Sequence, residues 1–177
     1  MSKLFGPIFQ VAYVVPELEP AVEHWTKTMG VGPFFLFPLP LALDWMTVYD
    51  QPTDRRDILA HAALSFSGET MVEIIVPGPD PSPYADFLRR GRSGVHHVGT
   101  FATDYDAQMA AARAAGIKVA VEGQLPISRF AYLETDVLWP GTMLEIIDAK
   151  PEMHALFDDI KRAAREWDGG DPIRSLG

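Results

Sequence analysis

Gly68-Glu69-Thr70-Met71-Val72-Glu73-Ile74-Ile75 returns later in the chain as Gly141-Thr142-Met143-Leu144-Glu145-Ile146-Ile147. Each copy reads Met, apolar, Glu, Ile, Ile, and each follows a glycine turn. Successive side chains of a strand point to opposite faces, so Met, Glu and the second Ile of each copy share one face. A carboxylate on an apolar face is costly to bury unless something pairs with it. Two carboxylates at matching places in a repeat point to a shared partner, and a divalent cation is the simplest one.

The repeat extends backwards. Ile8 to Val15 and Val95 to Phe101 are two further strands, each opening a unit that continues through a helix-like segment and more strands to a Glu strand. Gln10 to Glu73 spans 63 residues and His97 to Glu145 spans 48, which places an insertion of 15 in the Pro/Asp/Arg-rich region from Pro38 to Asp57. Repeats fix architecture. Two copies are too few for a solenoid and suit a pseudo-symmetric sheet whose halves meet over one site.

Local signals fill in the units. Pro16 ends the first strand, and Leu18, Ala21, Val22, Trp25 and Met29 recur at helical spacing up to Gly30. Strands are expected at 34–39, 45–49, 58–66 and 70–76, the last two forming a hairpin across Ser67-Gly68-Glu69. Four prolines between Pro77 and Pro83 mark a linker, and Tyr84 to Arg90 reads as a short helix. Asp104 caps an alanine-rich helix ending at Gly116. Strands follow near 117–122, 130–135 and 142–147. Leu156, Phe157, Ile160, Ala164 and Trp167 form the apolar stripe of a last helix over 152–167, which must pack on this chain or on a second subunit. The elements therefore read βαβββ, linker, βαβββ and an extra C-terminal helix, an α+β chain. The expected divisions are 1–78 for the first module with its insertion, 79–92 for the linker, 93–149 for the second module and 150–177 for the C-terminal helix and tail.

Composition narrows the function. A chain of 177 residues with 47% hydrophobic content builds one globular unit or two small modules sharing a core. A net charge of −9 argues against a nucleic-acid partner. Arg89, Arg90 and Arg92 read as a solvated loop, or as a greeting for an anionic substrate tail. The absence of cysteine excludes disulfides, thiolate metal sites and cysteine nucleophiles. The first residues lack the apolar core of a signal peptide, and no run reaches transmembrane length, so no membrane association and a cytoplasmic location are expected.

With Gln10, Glu73, His97 and Glu145 on inward faces, an amide oxygen, an imidazole and two carboxylates converge as ligands for one divalent metal ion of intermediate hardness. Gln10 is expected to share its face with Ile8 and Ala12, and His97 with Val95 and Gly99. Only one of His96 and His97 can then enter the site. A buried histidine is more often a hydrogen-bonded structural residue than a ligand, and a strand Glu is more often exposed. The repeat-related placement of all four is what favours a metal site.

These stretches carry a resemblance. Gly94-Val95-His96-His97-Val98 resembles the second-module opening of methylmalonyl-CoA epimerases, whose second His binds metal. Met143-Leu144-Glu145 resembles their last ligand strand, and Gln10 to Leu18 resembles their first. From Ile8 to Ala149 the chain looks like a member of the vicinal oxygen chelate superfamily, which includes glyoxalases, bleomycin-resistance proteins and extradiol dioxygenases. Epimerases usually carry His where this chain has Gln10, and the set Gln, Glu, His, Glu is instead similar to that of eukaryotic glyoxalase I.

The resemblance implies an α+β fold of paired βαβββ modules forming an open barrel, with an extra C-terminal helix, around one divalent ion (Zn, Ni, Co, Mn or Fe). The activity expected is that of a glyoxalase-like lyase or isomerase, moving a proton next to a carbonyl through a metal-bound enediolate or enolate. Glu145 is the first choice for the base and Glu73 the second. Phe35, Trp45, Tyr49, His61, Phe130, Tyr132 and Trp139 are expected as pocket walls. With seven methionines they favour a small apolar or aromatic carbonyl substrate, and a homodimer is the expected assembly. The rivals are a metal-free binding protein using the same cavity and an extradiol-type dioxygenase. The dioxygenase needs two His and one carboxylate for Fe(II), so His61 would have to be recruited beside His97.

Overall fold

The computed structural model of the chain describes residues 4–137 and 142–176. Two βαβββ units follow one another. The first runs β1 (Ile8–Val14), α1 (Leu18–Glu23), β2 (Phe34–Leu36), β5 (Leu59–Ser67) and β6 (Thr70–Pro77), with β3 (Trp45–Val48) and β4 (Gln51–Pro52) in its insertion. Helix α2 (Pro83–Arg89) occupies the linker. The second unit runs β7 (Gly94–Phe101), α3 (Tyr105–Ala114), β8 (Val119–Leu125), β9 (Ser128–Leu133) and β10 (Met143–Ala149). Helix α4 (Pro151–Arg165) and a short β11 (Ile173–Ser175) complete the chain.

All strands join one curled sheet in the order β11-β2-β5-β6-β1-β7-β10-β9-β8-β3-β4. The units meet where β1 and β7 pair antiparallel, and each opening strand pairs in parallel with its own Glu strand. The four strands β6, β1, β7 and β10 are therefore consecutive neighbours at the centre of the sheet.

Alternation sorts the side chains as the repeat requires. On the outer face Val72 and Ile74 pack with Leu18 and Val22 of α1, and Leu144 and Ile146 pack with Tyr105, Met109 and Ala112 of α3. Inside the curl lie two apolar layers. Ile75 and Met143 join Tyr84 and Phe87 of α2 at one end. Met71 and Ile147 join Met153, Phe157 and Ile160 of α4 at the other. Glu73 and Glu145, each midway between a Met and an Ile, fall between the layers.

The opening strands depart from simple alternation. The β1–β7 ladder has one irregularity between Ile8 and Gln10 and another between Ala12 and Tyr13, opposite His97 and Val95. Phe9 and His96 are the residues left over, one in each strand and each immediately before Gln10 or His97. An extra residue in one strand of a ladder turns the neighbouring side chains. Ile8 is thereby 59% exposed and Val95 39% exposed, whereas His96 and His97 are both buried. Phe9 turns inward and stacks on Phe101 at 3.9 Å between ring centroids. The expected sharing of faces by Ile8 with Gln10 and by Val95 with His97 is thus replaced, and both histidines lie in the interior.

Several boundaries also move. The first helix passes at His24 into a π-helical turn through Thr28, closed by Met29 N–H donating to the His24 carbonyl. The last helix stops at Arg165 rather than Trp167. The Trp167 ring instead folds onto Gly32, where an added Cβ would meet it at 2.9 Å, and its Nε1–H donates to the Gly170 carbonyl. Lys161 and Arg165 bind Glu69 in the β5–β6 turn and fasten α4 across that end of the barrel. Asp104 caps α3 as expected, accepting from the Ala107 N–H.

Ile160 is 1% exposed, so Ile160→Ala should cost about 2–5 kcal/mol through lost burial and the cavity left behind. Asp158→Ala, two residues away on the exposed side of the helix, should stay within about 0.5 kcal/mol. Urea denaturation of the two variants tests whether α4 is part of the core. Equal midpoints would show that it is not.

Candidate metal centre

Each of the four central strands brings one polar side chain to the midline. Gln10, His97 and Glu145 are buried, and Glu73 retains 14% exposure of its side chain. One ligand atom from each of Glu73, His97 and Glu145 lies within 4.8 Å of the others. His97 Nε2 is 3.3 Å from Glu73 Oε2 and 3.4 Å from Glu145 Oε2. Gln10 joins the group by donating from Nε2 to Glu73 Oε2 at 2.7 Å.

The glycine at 99 makes room for this. It faces Gln10 across the ladder, and a Cβ there would lie 2.9 Å from Gln10 Cβ and nearer still to Oε1.

Hydrogen bonding within the group is incomplete. Gln10 Oε1, His97 Nε2 and Glu145 Oε2 are buried without hydrogen-bond partners. Buried polar atoms are normally paired, so three orphans at one point call for an explanation. The His97–carboxylate contacts are ion-pair distances without hydrogen-bond alignment. Burial alone would hold the His97 ring neutral, but Glu145 and Glu73 outweigh it and push its pKa up to about 9. Burial raises the Glu73 carboxyl, and the negative charge of Glu145 adds to that rise, against the pull of His97 and the hydrogen bond from Gln10. The group thus carries more negative charge than one imidazole can neutralise with good geometry. Amide oxygen, imidazole nitrogen and carboxylate oxygens together fit a borderline divalent cation. Gln10 would offer Oε1 once its amide turned over, because amide nitrogen does not ligate.

Around this group is a small cavity of about 80 Å³ that opens to the outside. Gln10, Glu73 and Glu145 contribute its polar atoms, and Phe130 and Tyr132 line it. The other expected wall residues lie elsewhere. Phe35 points inward but packs in the layer under α4, and Phe37 takes its place on the wall. Trp45 is exposed because its neighbour Met46 is the β3 residue turned inward. Tyr49 sits in the left-handed region at the β3–β4 turn, and its hydroxyl donates to Asp86 of α2. His61 is exposed, while Ala62 and Leu64 of the same strand line the cavity. Trp139 lies outside the described residues.

Sequence reading missed Tyr84, Leu41, Leu59, Leu125, Met153 and Phe157, all on the wall. Tyr84 and Phe87 stand three residues apart in α2, an apolar helical spacing that signals an inward face. The Leu residues come from loops and strand ends and carry no such signal. Tyr84 and Tyr132 meet edge to face at 5.7 Å. Burial, and then the charge of Glu145, holds both phenols well above their ordinary pKa, so both stay protonated.

With the geometry described, comparison with known proteins adds the lineage. Residues 9–132 match the glyoxalase/bleomycin resistance protein/dioxygenase superfamily. The chain belongs to that superfamily. No curated protein matches it by sequence. Among solved structures, methylmalonyl-CoA epimerase from Mycobacterium tuberculosis is similar, with 18% identity, a TM-score of 0.61, and coverage of 88% of this chain and 95% of that one. A variant of Streptomyces coelicolor methylmalonyl-CoA epimerase in complex with 2-nitronate-propionyl-CoA has 17% identity and a TM-score of 0.58, covering 83% of this chain and 96% of that one. A hypothetical protein from Bacillus halodurans has 14% identity and a TM-score of 0.59, covering 81% and 94%. At these identities the likeness is one of fold. Among the described residues, no helix is long and apolar enough to cross a membrane.

Gly99→Ala should displace Gln10 and break its hydrogen bond to Glu73, costing about 1–3 kcal/mol by overpacking. A crystal structure of the variant with Gln10 in place, together with unchanged stability, would show that this close approach does not constrain the site.

Proposed function

We propose that this superfamily member is a divalent-metal-dependent isomerase or lyase that moves a proton on a carbon next to a carbonyl. The observation that carries the reading is the convergence of Glu73, His97 and Glu145 with three buried, unpartnered polar atoms at the polar centre of an apolar cavity. Gln10, Glu73, His97 and Glu145 would hold one ion (Zn, Ni, Co, Mn or Fe). A divalent cation there supplies Lewis-acid stabilisation of the negative charge that develops on a substrate oxygen.

The chain's own groups supply the rest. Glu145 Oε2 accepts no hydrogen bond, so it is free to take a proton from carbon, and Glu145 is assigned as the base. Glu73 Oε2, by contrast, accepts from Gln10 Nε2. The protonated phenols of Tyr84 and Tyr132 are available as donors to substrate oxygen. Wall residues such as Phe37, Leu41 and Phe130 exclude water and fit a small apolar or aromatic carbonyl compound. The methylmalonyl-CoA epimerases of similar fold support an isomerase type of reaction. A homodimer in the cytoplasm, without nucleic-acid or membrane partners, completes the proposal.

The dioxygenase alternative loses support because His61, the histidine it would recruit, is exposed and off the cavity wall. The metal-free binder is tested directly by metal analysis.

The purified protein should retain about one divalent ion per chain and, in D2O, exchange the α-hydrogens of an aryl α-hydroxyketone such as 2-hydroxyacetophenone, followed by proton NMR. Glu145→Gln should keep the fold and much of the metal while slowing exchange by about 10²–10⁴-fold. Stoichiometric oxygen consumption, or a wild type that binds no divalent ion, would overturn the proposal.

A further inference from the structure

The pseudo-twofold axis relating the two modules pairs His97 with Gln10 and therefore His96 with Phe9. Both Phe9 and His96 are the extra residue of a β-bulge. Phe9 makes the apolar contact expected of that position, on Phe101 and Phe157. His96 replaces it with an imidazole buried among aromatic rings, 5.2 Å from Tyr84 and 5.1 Å from Phe87 between centroids. Its one close polar neighbour in that setting is His97, with Nδ1 to Nδ1 at 3.0 Å. The Pro83 carbonyl lies on the other side of the ring without closing a well-formed bond to Nε2.

We infer that His96 is a positioning residue. Its Nδ1 accepts the proton of His97 Nδ1–H and so fixes the tautomer and ring orientation in which His97 Nε2 faces Glu73 and Glu145.

The reasoning is one of proton count. A neutral imidazole carries one N–H, so a hydrogen bond between two Nδ1 atoms needs one donor and one acceptor. His97 Nε2 lies against two carboxylates. With that nitrogen's lone pair turned toward a cation, the one proton of the neutral ring is on His97 Nδ1. His96 Nδ1 must then be the acceptor, which leaves the His96 proton on Nε2. Partners that hold the second nitrogen of a metal-binding His usually are carboxylates or backbone carbonyls. A neutral imidazole serves the same purpose without adding a third buried negative charge beside Glu73 and Glu145. Because His96 is wedged between Tyr84 and Phe87, the placement of α2 also sets the angle of the His97 ring. Both the direction of the hydrogen bond and the effect on metal affinity rest on the proposed metal-dependent function.

Two measurements decide it. Nitrogen-15 NMR of the imidazoles in the Zn²⁺-loaded protein should show His97 protonated at Nδ1 and a through-hydrogen-bond nitrogen–nitrogen coupling to His96 Nδ1. A proton resident on His96 Nδ1, or no coupling, overturns the inference. In a Zn²⁺ titration, His96→Phe, which copies the residue at the symmetry-related position, should bind about 10–100-fold more weakly than wild type. His96→Asn, which restores an acceptor near the Nδ1 position, should recover most of that loss, and it remains informative if the Phe variant fails to fold. Binding by the folded Phe variant equal to wild type, or an Asn variant no better than Phe, overturns the inference. A wild type that binds no Zn²⁺ defeats the proposed function and this inference with it, whereas a wild type that binds Zn²⁺ as tightly as the folded Phe variant defeats the inference alone.

Discussion

The antiparallel pairing of β1 with β7 is the constraint on which the rest of the molecule depends. It places the opening strands of two modules side by side, and each brings its own parallel Glu strand to its outer flank. One residue from each of four adjacent strands can then meet at a point. The same pairing reverses one module relative to the other. Met71 therefore points toward α4 while Met143 points toward α2, and each end of the interior receives one Met and one Ile from the Glu strands. The polar group is sealed from both sides by apolar layers built from the same repeat.

That sealing sets the electrostatic problem. Two carboxylates and an imidazole in a nearly dry interior cannot reach neutrality with well-aligned hydrogen bonds alone. Burial and like charge both raise Glu73, while the carboxylates overcome burial at His97. His96, one residue away, is pushed the other way, down to about 3, first by burial and then by the charge of His97. Adjacent histidines of one strand thus have opposite preferences. Such divergence is characteristic of functional sites.

The fold was legible because its repeat is written in residues whose environment is extreme. A Glu flanked at two-residue spacing by Met and Ile, twice over, leaves little freedom in how the strand faces. The capped helix at Asp104 and the proline-rich linker were readable for similar local reasons. The cavity wall was not. Trp45, Tyr49 and His61 are large and suggestive, but which face of a short inserted strand or a bulged one turns inward is set by its ladder partner, and no local pattern records that partner. The bulges at Phe9 and His96 were hidden likewise, since they exist only in the pairing of segments far apart in sequence. Trp167 misled because its apolar ring continues a helical stripe, whereas its real partner is Gly32, distant in the chain.

The inserted strand β3 carries a consequence for the history of the chain. It leaves the first module and pairs with β8, the outer strand of the second, setting Trp45 opposite Gln124. Met46 goes with it into the interior layer under α2. Neither repeat is then self-sufficient: one lends a strand, and the other is finished by it. Here the borrowed strand acts as a ratchet. The two halves are free to diverge in sequence, as Gln10 has from His97 and Phe9 from His96, but no longer free to live apart.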